Sequence, residues 1–328
     1  MTGLVPTERG VGETVAVDAI PEFAVVVFAA VTHLADPWFL FALLAVGYWF
    51  AGDGIAGSPR RAGATAIAVV TCAYAVVAVG KAWFAVPRPP GAMSPADVPT
   101  WLPGLLAGWF EAQVLSDGFG FPSGHATGGA AAYGALALLY DRFWTQRSRL
   151  LGAGVVAAAV AASRVVIEVH YLVDVVVGVA MGAGVVAGGL RLAGDPRFRC
   201  KRDTAPHDPT AALHPTPAFL AAAALSVVAA GLAVTAGHTG EVVEAGIGIA
   251  TGVGGAVGWR FVDGDEPPVP VRVVIPALAL TGGLWVGAYA LSDSLLVTLV
   301  ATTVAVVVVI ALPAVADRGR DATRPGRH

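Results

Sequence analysis

Charged residues are scarce in this chain, and their scarcity excludes an ordinary soluble domain. Of 328 residues, 13% are Asp, Glu, Lys or Arg and 56% are hydrophobic, and the mean hydropathy is +0.72. Soluble domains carry charge on about 25% of their residues. Lysine occurs only at Lys81 and Lys201. The composition predicts a protein that crosses a membrane many times.

Cysteine is almost absent as well. Cys72 lies in an apolar run and Cys200 in a basic loop, and two isolated cysteines cannot build a disulfide framework or a metal site. We interpret both as structural. The start of the chain does not combine a basic segment, a short apolar segment and a small-residue cleavage site, so we expect no removable signal peptide.

About ten apolar runs can be cut from the sequence, and a spanning helix needs roughly 20 residues. The runs cover residues 20–34, 38–50, 62–86, 126–140, 150–167 and 171–190, then 218–236, 242–262, 273–291 and 295–314. The first is short, and it either spans or lies partly in the membrane interface. The pattern predicts an all-α, polytopic membrane helical bundle with a six-helix core and about four further helices.

Breaks in the apolar pattern predict the domain boundaries. We expect an N-terminal tail (1–19), the six-helix core (20–194), a linker rich in charge and proline (195–217), a four-helix module (218–314) and a basic tail (315–328). The glycine-rich stretch 246–258 suits close helix packing. No role for the four-helix module follows from the sequence.

Basic residues are distributed unevenly between alternate loops. All but four of the 20 Lys and Arg residues fall on one side of the predicted membrane, and the exceptions are Arg9, Lys81, Arg88 and Arg164. Because cytoplasmic loops accumulate Lys and Arg, that side and the C-terminus are predicted to be cytoplasmic. The exceptions other than Arg9 then lie outside, together with His125, His170 and Asp174.

The stretch Ser163 to Asp174 is the most polar part of the core. Ionisable groups at membrane depth usually mark a function. On a helix, His170 and Asp174 would share a face, so that the carboxylate accepts a proton from one imidazole nitrogen and leaves the other nitrogen free to attack. The alternative is a helix-end histidine that a nearby acid satisfies.

Three basic side chains on the predicted outer side require an anionic partner. Phosphate is the natural partner of Arg and Lys donors. Arg88 stands between two prolines that hold the chain extended, and Lys81 lies about two helical turns earlier. Taken singly, each of these residues could be an interfacial side chain that snorkels.

The sequence Pro122-Ser123-Gly124-His125 is typical of a helix start. Ser123 can cap the helix, and the free amides with the helix dipole favour an anion, which Gly124 allows to approach closely. A simple N-cap would explain Ser123 and Gly124 but not His125. His125 is suited to protonate a leaving oxygen.

Together, Lys81-x6-Arg88-Pro89, Pro122-Ser123-Gly124-His125 and Ser163-Arg164-x5-His170-x3-Asp174 resemble the three-part signature of the type 2 phosphatidic acid phosphatase (PAP2) superfamily. The resemblance covers residues 20–192 and implies a metal-independent phosphoesterase without cofactor. It implies that His170 is a nucleophile that forms a phosphohistidine, Asp174 orients it, and His125 is the acid. The implied phosphate ligands are Lys81, Arg88, Ser123, Gly124 and Arg164, with Pro89, Pro122 and Ser163 in support.

Glu168 departs from the Gly or basic residue expected at its position. It could brace Arg164 if the helix persists, or it could be a solvent-facing rim residue.

The leading hypothesis is a multi-pass enzyme of the cell membrane that hydrolyses a lipid phosphate or diphosphate monoester at the extracytoplasmic face. A phosphotransferase that uses an alcohol acceptor is the alternative, and a non-enzymatic lipid transporter or scaffold is a further one. The expected partner is a membrane lipid and not a nucleic acid. The sequence specifies neither the oligomeric state nor the lipid: polyprenyl diphosphates, phosphatidic-acid-like lipids and glycerophosphate lipids all fit.

Overall fold

In a computed structural model of the chain, the described residues are 9–13, 17, 19–93, 98–198, 208–291 and 294–322, and this part contains helices and loops without strands. The helices are α1 (Glu22–Val31), α2 (Pro37–Phe50), α3 (Pro59–Phe84), α4 (Gly104–Val114), α5 (Gly124–Leu139), α6 (Gln146–Val166), α7 (Leu172–Leu192), α8 (Thr216–Ala236), α9 (Thr239–Trp259), α10 (Val271–Leu291) and α11 (Leu295–Ala322). Short 3-10 turns occupy Thr32–Ala35, Pro90–Met93, Pro196–Phe198 and Pro209–Ala212. The predicted all-α membrane class is confirmed.

Within the described ranges, seven helices are long and apolar enough to span a membrane, and the pair α1–α2 could add an eighth. This pair is bent by 49° between Ala35 and Pro37. Pro37 causes the break because it lacks an amide proton and starts α2 at its first position. Neither helix alone reaches across a bilayer of about 30 Å, so the apolar runs at 20–34 and 38–50 form one bent pair of helices rather than two separate spans.

We call the end of the bundle where α3 and α6 end and α5 and α7 begin the site end. Helix α1 belongs to a layer at this end. Its Ala29 packs in a cluster with Phe110 of α4 and with Ile167 and Val169 from the loop after α6. Glu22 accepts a hydrogen bond of 3.1 Å from the indole of Trp101 in the loop before α4. The start of α1 therefore lies at the site end.

The predicted core and the predicted C-terminal module share one hydrophobic core. The Trp49 indole donates to the Val309 carbonyl at 2.9 Å, and the Tyr48 hydroxyl donates to Ile310 at 2.6 Å. Cys72 is buried, with its thiol 3.0 Å from the Ala218 carbonyl, whereas Cys200 lies outside the described residues. The linker thus joins two sets of helices that pack directly against each other.

Glycine allows α8 and α9 to pack closely, as expected from the glycine-rich stretch at residues 246–258. A Cβ on Gly252 of α9 would lie 2.7 Å from the Phe219 carbonyl oxygen of α8. Real Cβ atoms do not approach backbone oxygens so closely, so the backbones of α8 and α9 touch only because this residue is glycine.

Arginines at the opposite end of the bundle satisfy helix carbonyls. Buried Arg60 donates to Tyr48 and Ala51 at the end of α2. Arg149 donates to Ala137 at the end of α5 and to three carbonyls of the following loop. The last carbonyls of a helix have no partner within it, so these arginines stabilise helix ends. The predicted tail at 315–328 is helical as far as Ala322.

Candidate active site

A cavity of about 370 Å³ opens among the site-end loops and the helices α3 and α9. Six of the eight residues predicted to act on phosphate line it: Lys81, Arg88, Gly124, His125, Arg164 and His170. Ser123 and Asp174 are not among the lining residues, and both are fully buried. The three sequence motifs therefore converge on one place, from the end of α3, the start of α5 and the loop between α6 and α7.

His170 lies in the loop between α6 and α7, so the helix predicted to carry both His170 and Asp174 is not there. Its Nδ1 donates to the Gly120 carbonyl at 2.7 Å, and its Nε2 lies 3.0 Å from Nη1 of Arg88. Burial lowers the pKa of His170 to about 3, and the opposing effect of Asp174 is smaller. The ring is therefore neutral, and the Nε2 lone pair accepts the hydrogen bond from Arg88, which also lines the cavity.

Asp174 is the third residue of α7 and caps that helix. Its carboxylate accepts from the Tyr171 amide at 3.0 Å and from Arg9 at 2.9 and 3.1 Å. Nδ1 of His170 lies 3.6 Å from the carboxylate, which is longer than a hydrogen bond. Asp174 thus acts on the imidazole by its charge, while Gly120 holds the ring's tautomer.

Two arginines, buried Arg164 and half-buried Arg88, bring positive charge to the cavity. Arg164 is 4% exposed, donates to Thr32 Oγ1 at 2.7 Å, and keeps a buried Nε without a hydrogen-bond partner. Arg88 donates to the carbonyls of Asp117 at 2.8 Å and Val169 at 3.1 Å. Within the described residues neither guanidinium forms an ion pair with a carboxylate. A buried cation without a counter-ion is costly, and an anion would relieve this cost.

Lys81 also reaches the cavity, but a carboxylate from the C-terminal helices already pairs with it. Its Nζ lies 3.3 Å from Oε2 of Glu244 in α9. In the structure Glu244 lines the cavity, and Glu241 is buried with an Oε2 that lacks a hydrogen-bond partner.

His125, the second residue of α5, is bonded to a carboxylate that the sequence analysis missed. Its Nε2 donates to Asp36 at 2.9 Å, and Asp36 also accepts from Nδ1 of His33 at 2.5 Å. Trp109 in turn donates to the other nitrogen of His33 at 2.8 Å. This chain of bonds fixes the imidazole of His125 and places a negative charge beside it. Asp36 is an acidic residue between two apolar runs, and this position is the sequence signal that could have identified it.

Arg9 and Gly120 were missed for different reasons. Arg9 is buried, bonded to Asp174, and stacked over Tyr171 with its guanidinium carbon 4.9 Å from the ring centroid. Arg9 was one of the four exceptions to the charge asymmetry, which was a usable signal. Gly120 acts through its carbonyl oxygen, which no sequence motif encodes.

Ser123 is a helix cap, with its hydroxyl accepting from the Ala126 amide at 3.4 Å, while Gly124 lines the cavity as the first residue of α5. Among the supporting residues, the Pro89 carbonyl accepts from Ala92 at 3.1 Å, and the peptide before Pro122 is cis. The Ser163 hydroxyl donates to the Val160 carbonyl at 2.7 Å within α6.

Glu168 lies beyond the end of α6 with a φ of 57°, in the left-handed region. Glycine adopts this conformation without strain, which explains why glycine is expected there. The described part of the chain contains no group of three His, Cys, Asp or Glu residues placed to hold a metal ion.

Residues 62–197 match the family model of the PAP2 superfamily. A solved structure, the first transmembrane PAP2-type phosphatidylglycerolphosphate phosphatase from Bacillus subtilis, aligns with 58% of this chain and 85% of its own, at 22% identity and a TM-score of 0.43. No curated protein shows significant similarity to the chain.

Proposed function

We propose, from the match of residues 62–197 to the family model of the PAP2 superfamily, that the chain is a membrane phosphatase that hydrolyses lipid phosphate or diphosphate monoesters through a phosphohistidine. One observation carries the proposal. Among the described residues, half-buried Arg88 and buried Arg164 have no carboxylate partner; both line the same cavity as His170, and Arg88 donates directly to its Nε2. A phosphoryl group satisfies all three at once.

In the first step, the Nε2 lone pair of His170 attacks phosphorus, and the bond from phosphorus to the lipid oxygen breaks. Arg88 and Arg164 hold the equatorial oxygens, where charge is largest in the transition state. The departing alkoxide takes a proton from the cationic form of His125. Burial lowers the pKa of this imidazole to about 4, and the carboxylate of Asp36 opposes that shift. The phosphorylated imidazole is positive, and the charge of Asp174 stabilises it.

In the second step, His125 has given up its proton and can act as a base. It removes a proton from water, the resulting hydroxide attacks phosphorus, and the P–N bond breaks to release inorganic phosphate and restore neutral His170. The proton stays on Nδ1 of His170 and is donated to the Gly120 carbonyl throughout, so the ring returns in the same tautomer.

We place the site on the extracytoplasmic face and the C-terminus in the cytoplasm. Arg60, Arg149 and Arg320 lie at the opposite end of the bundle, where they bond to loop and helix-end carbonyls. The charge asymmetry of the loops favours a cytoplasmic location for that end.

The test is release of inorganic phosphate by the purified full-length protein in detergent from a panel of lipid phosphates and diphosphates, with and without chelator. We expect turnover that survives chelation and that His170→Gln abolishes. His214→Gln is the matched control, because His214 is exposed at the opposite end of the bundle, and it should retain full activity. Turnover that needs added Mg²⁺, or that survives in His170→Gln, would refute the mechanism. Phosphoryl transfer to an added alcohol without release to water would favour a transferase.

A further inference from the structure

The cavity that holds the phosphate-binding residues continues into the bundle along α3. Its lining includes Thr71, Tyr74, Ala75, Ala78 and Lys81. These positions recur every three or four residues, so they form one stripe on the helix. Ten residues separate Lys81 from Thr71, a distance of about 15 Å along a helix. The cavity is therefore a deep cleft and not a shallow bowl around the phosphate site.

The facing wall comes from helices outside the segment that matches the PAP2 model. From α9 it includes Glu244, Ile247, Gly248 and Thr251, again at helical spacing, and from α8 it includes Ser226. Helices α8 and α9 pack on α3, and α9 reaches the site end through the pair of Glu244 with Lys81. The cleft lies between α3 and this second wall.

Polarity falls from the mouth of the cleft to its depth. The charged lining residues, which include Lys81, Arg88 and Glu244, all lie at the site end. Deeper in the cleft the lining carries no charge: Thr71 and Thr251 each donate their hydroxyl proton to a carbonyl of their own helix at 2.8 Å, and the Ser226 hydroxyl is buried without a hydrogen-bond partner among the described residues. A ligand that matches this gradient has an anionic head and an apolar chain.

We propose that α8 and α9 form one wall of a binding cleft for a single hydrocarbon chain of the lipid phosphate, and that they set the chain length the enzyme prefers. The proposal rests on the proposed function. Its occupant follows from continuity, since the head group at Arg88 and the chain in the cleft share one cavity of about 370 Å³. Ligand pockets span about 300–1,000 Å³, so this cleft suits one chain rather than several.

The test uses single-chain alkyl phosphates of increasing length, from butyl to hexadecyl, presented at a fixed low mole fraction in detergent. Burial of each methylene should raise kcat/KM by up to about fourfold until the cleft is full. Thr251→Phe fills the cleft and should end this rise at a shorter chain while leaving butyl phosphate unaffected. Ile247→Ala enlarges the cleft and should extend the rise to longer chains.

Val253→Phe is the matched control, because Val253 lies on the same helix but is 40% exposed on the bundle's outer surface. It should keep the wild-type chain-length profile. If Thr251→Phe and Val253→Phe gave the same profile, and Ile247→Ala changed nothing, the cleft would not hold the chain. Loss of all activity in Thr251→Phe would leave Ile247→Ala to decide.

Alkyl phosphonates of the same lengths separate this proposal from the proposed function, because their C–P bond is not hydrolysed. Their affinity is measured by titration calorimetry in the same detergent. Affinity should rise with chain length up to a limiting length. If Thr251→Phe shortens this limiting length and Ile247→Ala extends it, the result supports a chain-binding cleft even if the protein hydrolyses no lipid phosphate. Affinity that does not respond to either variant overturns it even if the protein is an active phosphatase.

Discussion

Nδ1 of His170 lies 2.7 Å from the carbonyl oxygen of Gly120, while the nearest carboxylate oxygen of Asp174 is 3.6 Å away. A backbone carbonyl therefore fixes the tautomer of the proposed nucleophile, and a side-chain substitution cannot remove it.

The first prediction follows from this geometry. Asp174→Asn should keep the imidazole tautomer and lose only the stabilising charge, so kcat should fall about 10- to 100-fold, the range expected for one charged interaction of roughly 1.5–3 kcal/mol. The measurement is kcat with a saturating long-chain alkyl phosphate. Arg9→Gln, which removes the carboxylate's other charged partner, provides a comparison. A loss in Asp174→Asn as complete as that in His170→Gln would show that Asp174, and not Gly120, fixes the ring.

The second prediction concerns Asp36 as a positioning residue for His125. Asp36→Asn should weaken the imidazolium form of His125, which matters only when the leaving group needs a proton. Hydrolysis of an alkyl phosphate should fall by roughly 10²-fold, within the usual range for general acid catalysis. Single-turnover phosphoenzyme formation from nitrophenyl phosphate should change little, because nitrophenolate leaves without a proton. Equal losses on the two substrates would mean that Asp36 has a structural role only. His33→Gln, which keeps Asp36 charged, is the control and should act more weakly.

The third prediction contrasts two buried arginines. Arg164 has an unpartnered Nε, whereas Arg149 donates four hydrogen bonds to carbonyls. Replacing a buried charge that lacks a counter-ion by an apolar residue removes the cost of burying that charge. Arg164→Met should therefore keep or raise the Tm of the free protein and abolish the further rise that vanadate causes in the wild type. Arg149→Met should lower the Tm but keep the vanadate response.

Those two Tm measurements decide the role of Arg164. A destabilised Arg164→Met that still responds to vanadate would show that the residue serves the fold and not the anion.

The fourth prediction concerns topology. Asp97, a natural position for a label, lies outside the described residues, but Leu105 of α4 is 96% exposed at the site end and Trp144 is 79% exposed at the opposite end. In intact cells, an impermeant thiol reagent should label Leu105→Cys and not Trp144→Cys. Both should react after the cells are opened. The reverse pattern would place the site in the cytoplasm.

The sequence predicted most of the helices because apolar runs in a membrane protein have few alternatives to a helix. It also predicted that the three motifs meet, since Arg88, His125 and His170 stand at the ends of neighbouring helices and line one cavity. The break at Pro37 changed the first two runs from separate spans into a bent pair. That outcome depends on how α1 packs in the site-end layer, which no local pattern encodes.

Other features of the site depend on tertiary contacts between distant segments. Asp36 and His125 are 89 residues apart, and Lys81 and Glu244 are 163 apart. The sequence suggested a module boundary at residues 195–217, yet the helices beyond it complete the cavity wall. Small residues such as Gly252 permit this packing, but they do not reveal which helix they face.

Single-turnover phosphoenzyme formation tests the central claim most directly. The protein is mixed with a nitrophenyl-type phosphate carrying a labelled phosphoryl group and quenched in alkali, where a phosphohistidine is stable. We predict that the wild type and His125→Ala both acquire label at His170, because this leaving group needs no proton, and that His170→Gln acquires none. Label retained in His170→Gln, or absent from both the wild type and His125→Ala under conditions of turnover, would contradict the account.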